Sequence, residues 1–196
     1  MIRLPVSSTR PVSARLIACL AMAFVAVAAL SAVEVDGRID SGEYPSTQVL
    51  AKDLFSISWK VEGDRIFFAI EATSPGWVAI GLDPAQAMAR SDMIFGTVGA
   101  DGKTTAVDAW STGPFGPHPA DTDQGGKSDL LSFAGKRSGD KVVFEFSRLL
   151  DTKDGLDKAI LLDRPMKIIW ATAPDFGFKT KHARRGSAQV AFGGGR

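Results

Sequence analysis

Two segments of this chain carry side chains that can bind a transition metal. Residues 76–98 contain Met88, and residues 182–187 begin with His182, one of only two histidines in a chain of 196 residues. A thioether sulfur and an imidazole nitrogen together form one of the axial ligand pairs of haem iron. The two segments are therefore the first candidates for a functional site, and neither resembles a catalytic triad, a phosphate-binding loop or a zinc cluster.

The residues around Met88 allow two interpretations. The methionine follows a turn that Pro84 can open and precedes a polar stretch, so its sulfur is expected at the rim of the fold, within reach of a ligand. Methionine is also a common flexible filler of gaps in a core. The rival methionine, Met93, is next to Ile94 on a predicted strand, and alternation predicts a core side chain that faces opposite to Ile94.

His182 lies in a basic segment whose cationic side chains are Lys179, Lys181, Arg184 and Arg185. Their positive field would lower the pKa of the imidazole and favour the neutral form that binds iron. The same charges could pair with haem propionates, but a solvated surface histidine would have the same neighbours. The other histidine, His118, lies in a loop rich in glycine and proline and is the weaker candidate ligand.

The first 31 residues are predicted to be a cleaved Sec-type signal peptide. Arg3, Arg10 and Arg15 give a positive start, an apolar run follows over residues 16–30, and small residues stand at the cut. The single cysteine, Cys19, lies in this leader, so the mature chain would have no thiol that could attach a c-type haem covalently. Any haem would be a non-covalent haem b.

Removal of this leader would leave 20 basic against 22 acidic side chains, a formal net charge of −2. This balance argues against nucleic acid as a partner, because nucleic-acid binding needs a clear excess of positive charge. Residues 32–196 suit one domain. We expect a periplasmic or secreted protein with no stable membrane insertion after signal cleavage.

Period-2 alternation of apolar and polar residues predicts an all-β antiparallel sandwich. The predicted strands cover residues 55–61, 66–70, 76–82, 92–98, 103–110, 141–148, 167–173 and 187–192. A helical turn is predicted over 84–90, and a long surface loop over 111–129. Asp121 begins a stretch that superficially resembles a calcium loop, but Ser132 occupies the position of the bidentate glutamate, so the stretch is interpreted as a turn.

The order of the motifs along nearly the whole predicted mature chain resembles that of DOMON domains. These motifs are Asp36-Gly37-Arg38-Ile39, Glu43-Tyr44-Pro45, the run from Gly76 to Leu82, Met88 with Ser91-Asp92, Asp108-Ala109-Trp110-Ser111, Asp121 with Gly125-Gly126, the run from Phe144 to Arg148, and His182 with Arg185-Gly186. The resemblance implies an immunoglobulin-like β-sandwich that binds haem or a carbohydrate. In its haem-binding members the axial ligands are a methionine and a histidine, which here match Met88 and His182.

The function implied by the resemblance is electron transfer by one haem b held between Met88 and His182. Arg184 and Arg185 are expected to contact the cofactor, together with aromatic walls. The candidate wall residues are Trp77, Trp110, Trp170, Phe115, Phe176 and Phe178, of which Trp77 and Trp110 are the expected cofactor-binding residues. With both axial positions filled, the iron would have no open position for catalysis. The expected partner is a redox protein, such as a periplasmic or membrane cytochrome.

Two alternatives remain open at this stage. The aromatic residues could instead form the platform of a haem-free module that binds a carbohydrate or another small ligand. The chain could also be the haem subunit of a multi-chain oxidoreductase, in which Lys179 or Lys181 replaces the histidine ligand.

Overall fold

A computed structural model describes residues 32–193 as two antiparallel five-stranded sheets that pack face to face. The predicted all-β antiparallel sandwich is confirmed. The predicted signal peptide over residues 1–31 lies outside the described residues, and its cleavage stays a prediction. Between residues 32 and 193, the structure contains no helix with the length and apolar character needed to cross a membrane.

The strands run in an order that brings distant parts of the chain together. Their bounds are β1 Ser46–Ala51, β2 Phe55–Glu62, β3 Arg65–Thr73, β4 Val78–Leu82, β5 Asp92–Val98, β6 Thr104–Trp110, β7 Ser132–Ser138, β8 Lys141–Leu149, β9 Met166–Thr172 and β10 Arg184–Val190. The first sheet has the order β1-β2-β3-β8-β7, and the second has the order β10-β9-β4-β5-β6.

The main core lies between the two sheets, where every second side chain of each central strand faces inward. Its almost fully buried side chains include Ile57, Phe68, Ile70, Ile80, Ile94, Phe144, Phe146 and Ile168. Burial of each such side chain contributes about 1.5–3 kcal/mol relative to exposure. The alternation of apolar and polar residues that predicted the strands is thus the same pattern that places apolar side chains between the two sheets.

Two strands, β1 and β7, were not predicted from the sequence. Both are edge strands of the first sheet, and neither has a regular apolar alternation: β1 begins with the polar run Ser46 to Gln48. An edge strand needs only one neighbour and little apolar surface. Its place is decided by hydrogen bonds to β2 or β8, which hydrophobic periodicity does not reveal.

The helical turn predicted over residues 84–90 is wrong, because this segment is a tight non-helical turn. The Ala89 N–H donates to the Gln86 carbonyl at 2.8 Å, and the Ala85 N–H donates to the Ala89 carbonyl at 2.9 Å. Ala87 has φ 50° and Arg90 has φ 57°, the left-handed region that a right-handed helix excludes. The predicted loop over 111–129 contains only one short 3-10 turn, Asp121–Gln124.

A buried carboxylate fastens the N-terminal segment to the outer face of the first sheet. Glu145 in β8 accepts the Tyr44 hydroxyl on Oε1 at 2.6 Å. Its Oε2 accepts the backbone N–H groups of Asp36, Gly37 and Arg38 at 3.2, 2.7 and 3.0 Å. Burial raises the pKa of Glu145, and these hydrogen bonds oppose that shift. Glu145 therefore holds residues 36–44 over a sheet face that would otherwise be open.

Replacement of Glu145 by Ala should lower the free energy of unfolding by about 3 kcal/mol or more, because two buried and two partly buried donors would lose their acceptor. Urea unfolding measures the effect. Glu71→Ala is the matched control, since Glu71 is an exposed glutamate on the same face of the same sheet. Equal losses of stability in the two variants would contradict the role given to Glu145.

Candidate functional site

A cavity of about 1280 Å³ lies on the outer face of the second sheet, on the side away from the main core. Its floor is formed by the outward side chains of three adjacent strands: Ala79 and Gly81 of β4, Met93 and Phe95 of β5, and Ile169 and Ala171 of β9. The small residues on β4 and β9 leave depth that larger side chains would fill. The floor is thus apolar and rigidly supported by the sheet.

Loops supply the remaining walls and bring the polar groups to the cavity. The contributing segments are the turn with Ala87 and Met88, the loop 114–119 with His118, and the segment 178–182 with His182. Lys179, Lys181 and Arg185 add positive charge to the lining. A hydrophobic floor with convergent polar groups is the usual form of a cofactor site.

The structure brings Met88 and His182 to the same cavity, although 93 residues lie between them in the sequence. Met88 packs against the cluster formed by Trp77, Met93 and Phe95. Burial lowers the pKa of His182, and the charge of Arg185 lowers it further. The imidazole is therefore kept in the neutral form, in which a ring nitrogen can bind a metal.

His118, the weaker candidate ligand from the sequence, also faces this cavity. Its ring is half-buried and stacks on Phe95 with centroids 6.2 Å apart. Burial lowers the pKa of His118, and the nearby His182 lowers it further. The signal in the sequence was the pair of prolines, Pro117 and Pro119, which restrict the backbone on both sides of the histidine.

Two buried nitrogen atoms of the cavity lack a hydrogen-bond partner among residues 32–193. They are the indole N–H of Trp77 and Nδ1 of His118. An unsatisfied buried polar group costs about 1–3 kcal/mol. Their place in the lining indicates a ligand that brings polar atoms into an otherwise apolar space.

Met93 is buried and faces opposite to Ile94, as the alternation predicted, but it does not lie in the core between the sheets. It belongs to the floor of the cavity, where it packs near Trp77 and Phe95. The cavity therefore holds two thioethers, of which Met88 lies on a loop and Met93 on a strand.

The remaining predicted cofactor residues divide between positions inside and outside the cavity. Trp77 and Arg185 line it, whereas Trp110 does not, and Arg184 lines a smaller adjoining pocket with His182. The pairing of Ala109 with Met93 gives Ala109 the cavity face of β6, so alternation turns Trp110 to the opposite face. There the Trp110 ring lies 5.5 Å from the ammonium group of Lys158.

Comparison with known proteins gives a family and a fold. The model of the DOMON domain matches residues 51–173. The chain is 31% identical over 130 residues to "DBH-like monooxygenase protein 1" of Mus musculus, covering 65% of this chain and 20% of that protein. The protein of the same name from Homo sapiens is 28% identical over 153 residues, covering 75% and 24%. The chain spans about a fifth to a quarter of the length of these relatives.

Two solved structures share the fold at low sequence identity. The cytochrome b domain of pyranose dehydrogenase from Coprinopsis cinerea has a TM-score of 0.53 at 12% identity, covering 71% of this chain and 77% of that one. The cytochrome domain of cellobiose dehydrogenase from Myriococcum thermophilum has a TM-score of 0.51 at 10% identity, covering 74% and 81%. The resemblance deduced from the motifs is thus confirmed at the level of the family.

Gly186 ends the basic motif beside the cavity and is paired with Trp170. A Cβ at this position would lie 2.6 Å from Nε1 of Trp170, whose ring stacks on Phe55 at 5.0 Å. Gly186→Ala should therefore displace the indole and lower the free energy of unfolding by about 1–3 kcal/mol. Urea unfolding measures this, with Ser187→Ala as the control at the next, exposed position. A Gly186→Ala protein as stable as the control would show that the indole moves aside without cost.

Proposed function

Because the chain belongs to the DOMON domain family, we propose that its cavity binds one non-covalent haem b and that the protein transfers electrons. The observation that carries this proposal is the convergence of Met88 and His182 on one apolar cavity. A thioether and a neutral imidazole are a ligand pair that haem iron accepts. The names of the two cytochrome domains with this fold agree with the proposal.

The lining of the cavity fits such a group in three further ways. Trp77, Phe95 and Phe178 provide aromatic surface for a planar macrocycle. The positive side chains of Lys179, Lys181 and Arg185 lie where carboxylates of a ligand could be neutralised. The unpartnered nitrogens of Trp77 and His118 could be satisfied by polar atoms of the cofactor.

Each side chain then has a distinct role in the proposal. Met88 and His182 hold the iron, the floor of β4, β5 and β9 excludes water, and Arg185 balances negative charge. Bound haem would supply a one-electron couple. Occupation of both axial positions leaves no site for substrate, so we propose an electron carrier rather than a catalyst. The monooxygenase activity in the name of the relatives refers to proteins of which the match to this chain covers only 20% and 24%.

The partner in this proposal is another redox protein, such as a periplasmic or membrane cytochrome. We also propose that the protein is exported to the periplasm or secreted, on the basis of its N-terminal sequence. A transient contact is enough for electron transfer, so no permanent complex is required.

Addition of haemin to the purified protein should give one haem per chain, with a sharp Soret band and, after reduction, the split visible bands of a six-coordinate low-spin haem b. Absorbance titration measures the stoichiometry. Acid acetone should extract all of the haem, because the expected mature chain has no cysteine. A protein that stays colourless after titration would contradict haem binding and favour the carbohydrate or small-ligand alternative.

Replacement of His182 by Ala should remove the stronger axial ligand and weaken haem retention at least tenfold, with loss of the low-spin spectrum. His118→Ala is the matched control, because it removes the other imidazole of the same cavity and should leave a six-coordinate spectrum. Dissociation of haem to a haem-scavenging protein measures retention. The reverse result would assign the iron to His118, and an effect of neither variant would leave Lys179 or Lys181 as the ligand to test.

Met88→His should keep the six-coordinate spectrum but lower the midpoint potential by more than about 100 mV, since axial ligands tune haem potentials over about 0.8 V. A thioether favours ferrous iron more than an imidazole does. Spectroelectrochemistry measures the shift. Met93→Leu is the control, because it removes the other sulfur of the cavity and conserves volume. Equal potentials for the parent protein and Met88→His would show that the Met88 sulfur does not reach the iron.

A further inference from the structure

A second group of ligand-type side chains lies at the edge of the sandwich, away from the lining of the cavity. Asp92 begins β5, Asp108 lies in β6, and Asp157 lies in the segment between β8 and β9. Each offers a carboxylate oxygen, and these three oxygens all lie within 4.8 Å of one another. Asp92 is 0% and Asp108 3% exposed, and the side chain of Asp157 is 1% exposed.

The charge of these carboxylates is only partly balanced inside the protein. Arg148 is the buried cation of the group, with its guanidinium 2.5 Å from Oδ2 of Asp92 and 3.3 Å from Oδ2 of Asp157. Lys158 points elsewhere, with its ammonium group 3.5 Å from Asp83 and above the Trp110 ring. One guanidinium therefore faces three carboxylates in an environment where water does not screen them.

Hydrogen bonds satisfy only one oxygen each of Asp92 and Asp108. Oδ2 of Asp92 accepts the Lys158 N–H at 2.9 Å, and Oδ2 of Asp108 accepts the Asp129 N–H at 2.8 Å. The Oδ1 atoms of both aspartates are buried and have no hydrogen-bond partner between residues 32 and 193. Buried acceptors of this kind are rare in folded proteins.

Asp121 provides an independent observation that a ligand belongs here. It is 0% exposed, and neither of its carboxylate oxygens has a hydrogen-bond partner in the described part of the chain. The bridge between Ala109 and Ala120 brings it beside β6. Burial, which is the largest cause, and the negative charges of Asp108, Asp157 and Asp92 together raise the pKa of Asp121 to about 8. The charges of the other three aspartates act on this fully buried, unpartnered carboxylate, although it lies outside the group whose oxygens are all within 4.8 Å of one another.

We propose that Asp92, Asp108 and Asp157 bind a calcium ion, and that the side chain of Asp121 turns toward the ion as a fourth ligand. Calcium prefers several oxygen ligands and accepts an irregular arrangement of carboxylates, whereas magnesium demands octahedral geometry and usually keeps several waters. A divalent cation would provide partners for oxygens that the protein itself leaves unpartnered, and it would offset most of the charge that Arg148 does not balance.

The proposed ion would join four segments that are far apart in the sequence. It would connect the start of β5, the end of β6, the 3-10 turn and the segment that contains Asp157. Asp121 follows His118 by three residues, so calcium would also fix the end of the loop that closes the cavity. The site does not depend on haem, and its test needs none.

The experiment uses the full mature protein, stripped with EDTA and titrated with calcium chloride by calorimetry and thermal unfolding. We expect one calcium per chain and a midpoint of unfolding that rises by several degrees at millimolar calcium, because the ion binds only the folded state. Asp121→Asn should weaken calcium binding at least tenfold. Asp123→Asn should not, since Asp123 is an exposed aspartate on the same turn. Equal calcium affinity of Asp121→Asn and the parent protein would overturn the proposal.

Terbium luminescence keeps the test decisive if Asp121→Asn does not fold. Terbium replaces calcium at sites with oxygen ligands. The Trp110 indole lies on the same face of the sheet as Asp92, so it should sensitise the emission of bound terbium in the parent protein. Added calcium should displace the terbium and abolish this emission. Trp110→Phe should reduce the emission while calcium binding persists. No calcium heat and no displaceable emission from the parent protein would overturn the proposal, and tighter binding of magnesium would overturn the choice of ion.

Discussion

The register of β4 between β5 and β9 decides how the second sheet uses its two faces. Ile80 pairs with Ile94 on one side and with Trp170 on the other, and all three face the main core. The next residue, Gly81, pairs with Met93 and Ile169, which face the cavity. Because side chains alternate strictly, a shift of one residue would exchange the two sets and destroy core and cavity together.

This register also explains why the cavity is deep although it lies on a regular sheet. A Cβ on Gly81 would come within 2.8 Å of Ile169, so only glycine allows the neighbouring side chain its position. Ala79 and Ala171 add little volume on either side. The loops then bring Met88, His118 and His182 over this deep centre. The strands thus provide a fixed apolar floor, while segments outside regular structure provide the groups with chemistry.

Much of the fold could be predicted from the sequence, because its central strands alternate clearly. The edge strands β1 and β7 could not, since backbone pairing rather than apolar surface holds them. The turn at Met88 was mistaken for helix, because Pro84 and the alanines favour a helix locally and the left-handed Ala87 leaves no sequence signal. The placement of Trp110 depended on the register of β6, which period-2 alternation alone does not give.

The positions of the functional polar side chains were even harder to predict from the sequence than the strands. Met88 and His182 were linked only through the family resemblance, and His118 joined them only in three dimensions. The carboxylates of the proposed calcium site come from four separate segments, so no contiguous sequence motif could have predicted the site. Residue types indicate which chemistry is available, but the topology decides which of them meet.

The central claim is that the Met88 sulfur binds haem iron, and NMR of the reduced protein tests it most directly. In ferrous haem-loaded protein with isotope-labelled methionine methyl groups, one methyl signal should be shifted strongly upfield by the ring current of the macrocycle. That signal should vanish in Met88→Leu and persist in Met93→Leu. Methyl signals that all stay at ordinary positions, or an upfield signal lost only in Met93→Leu, would contradict the account.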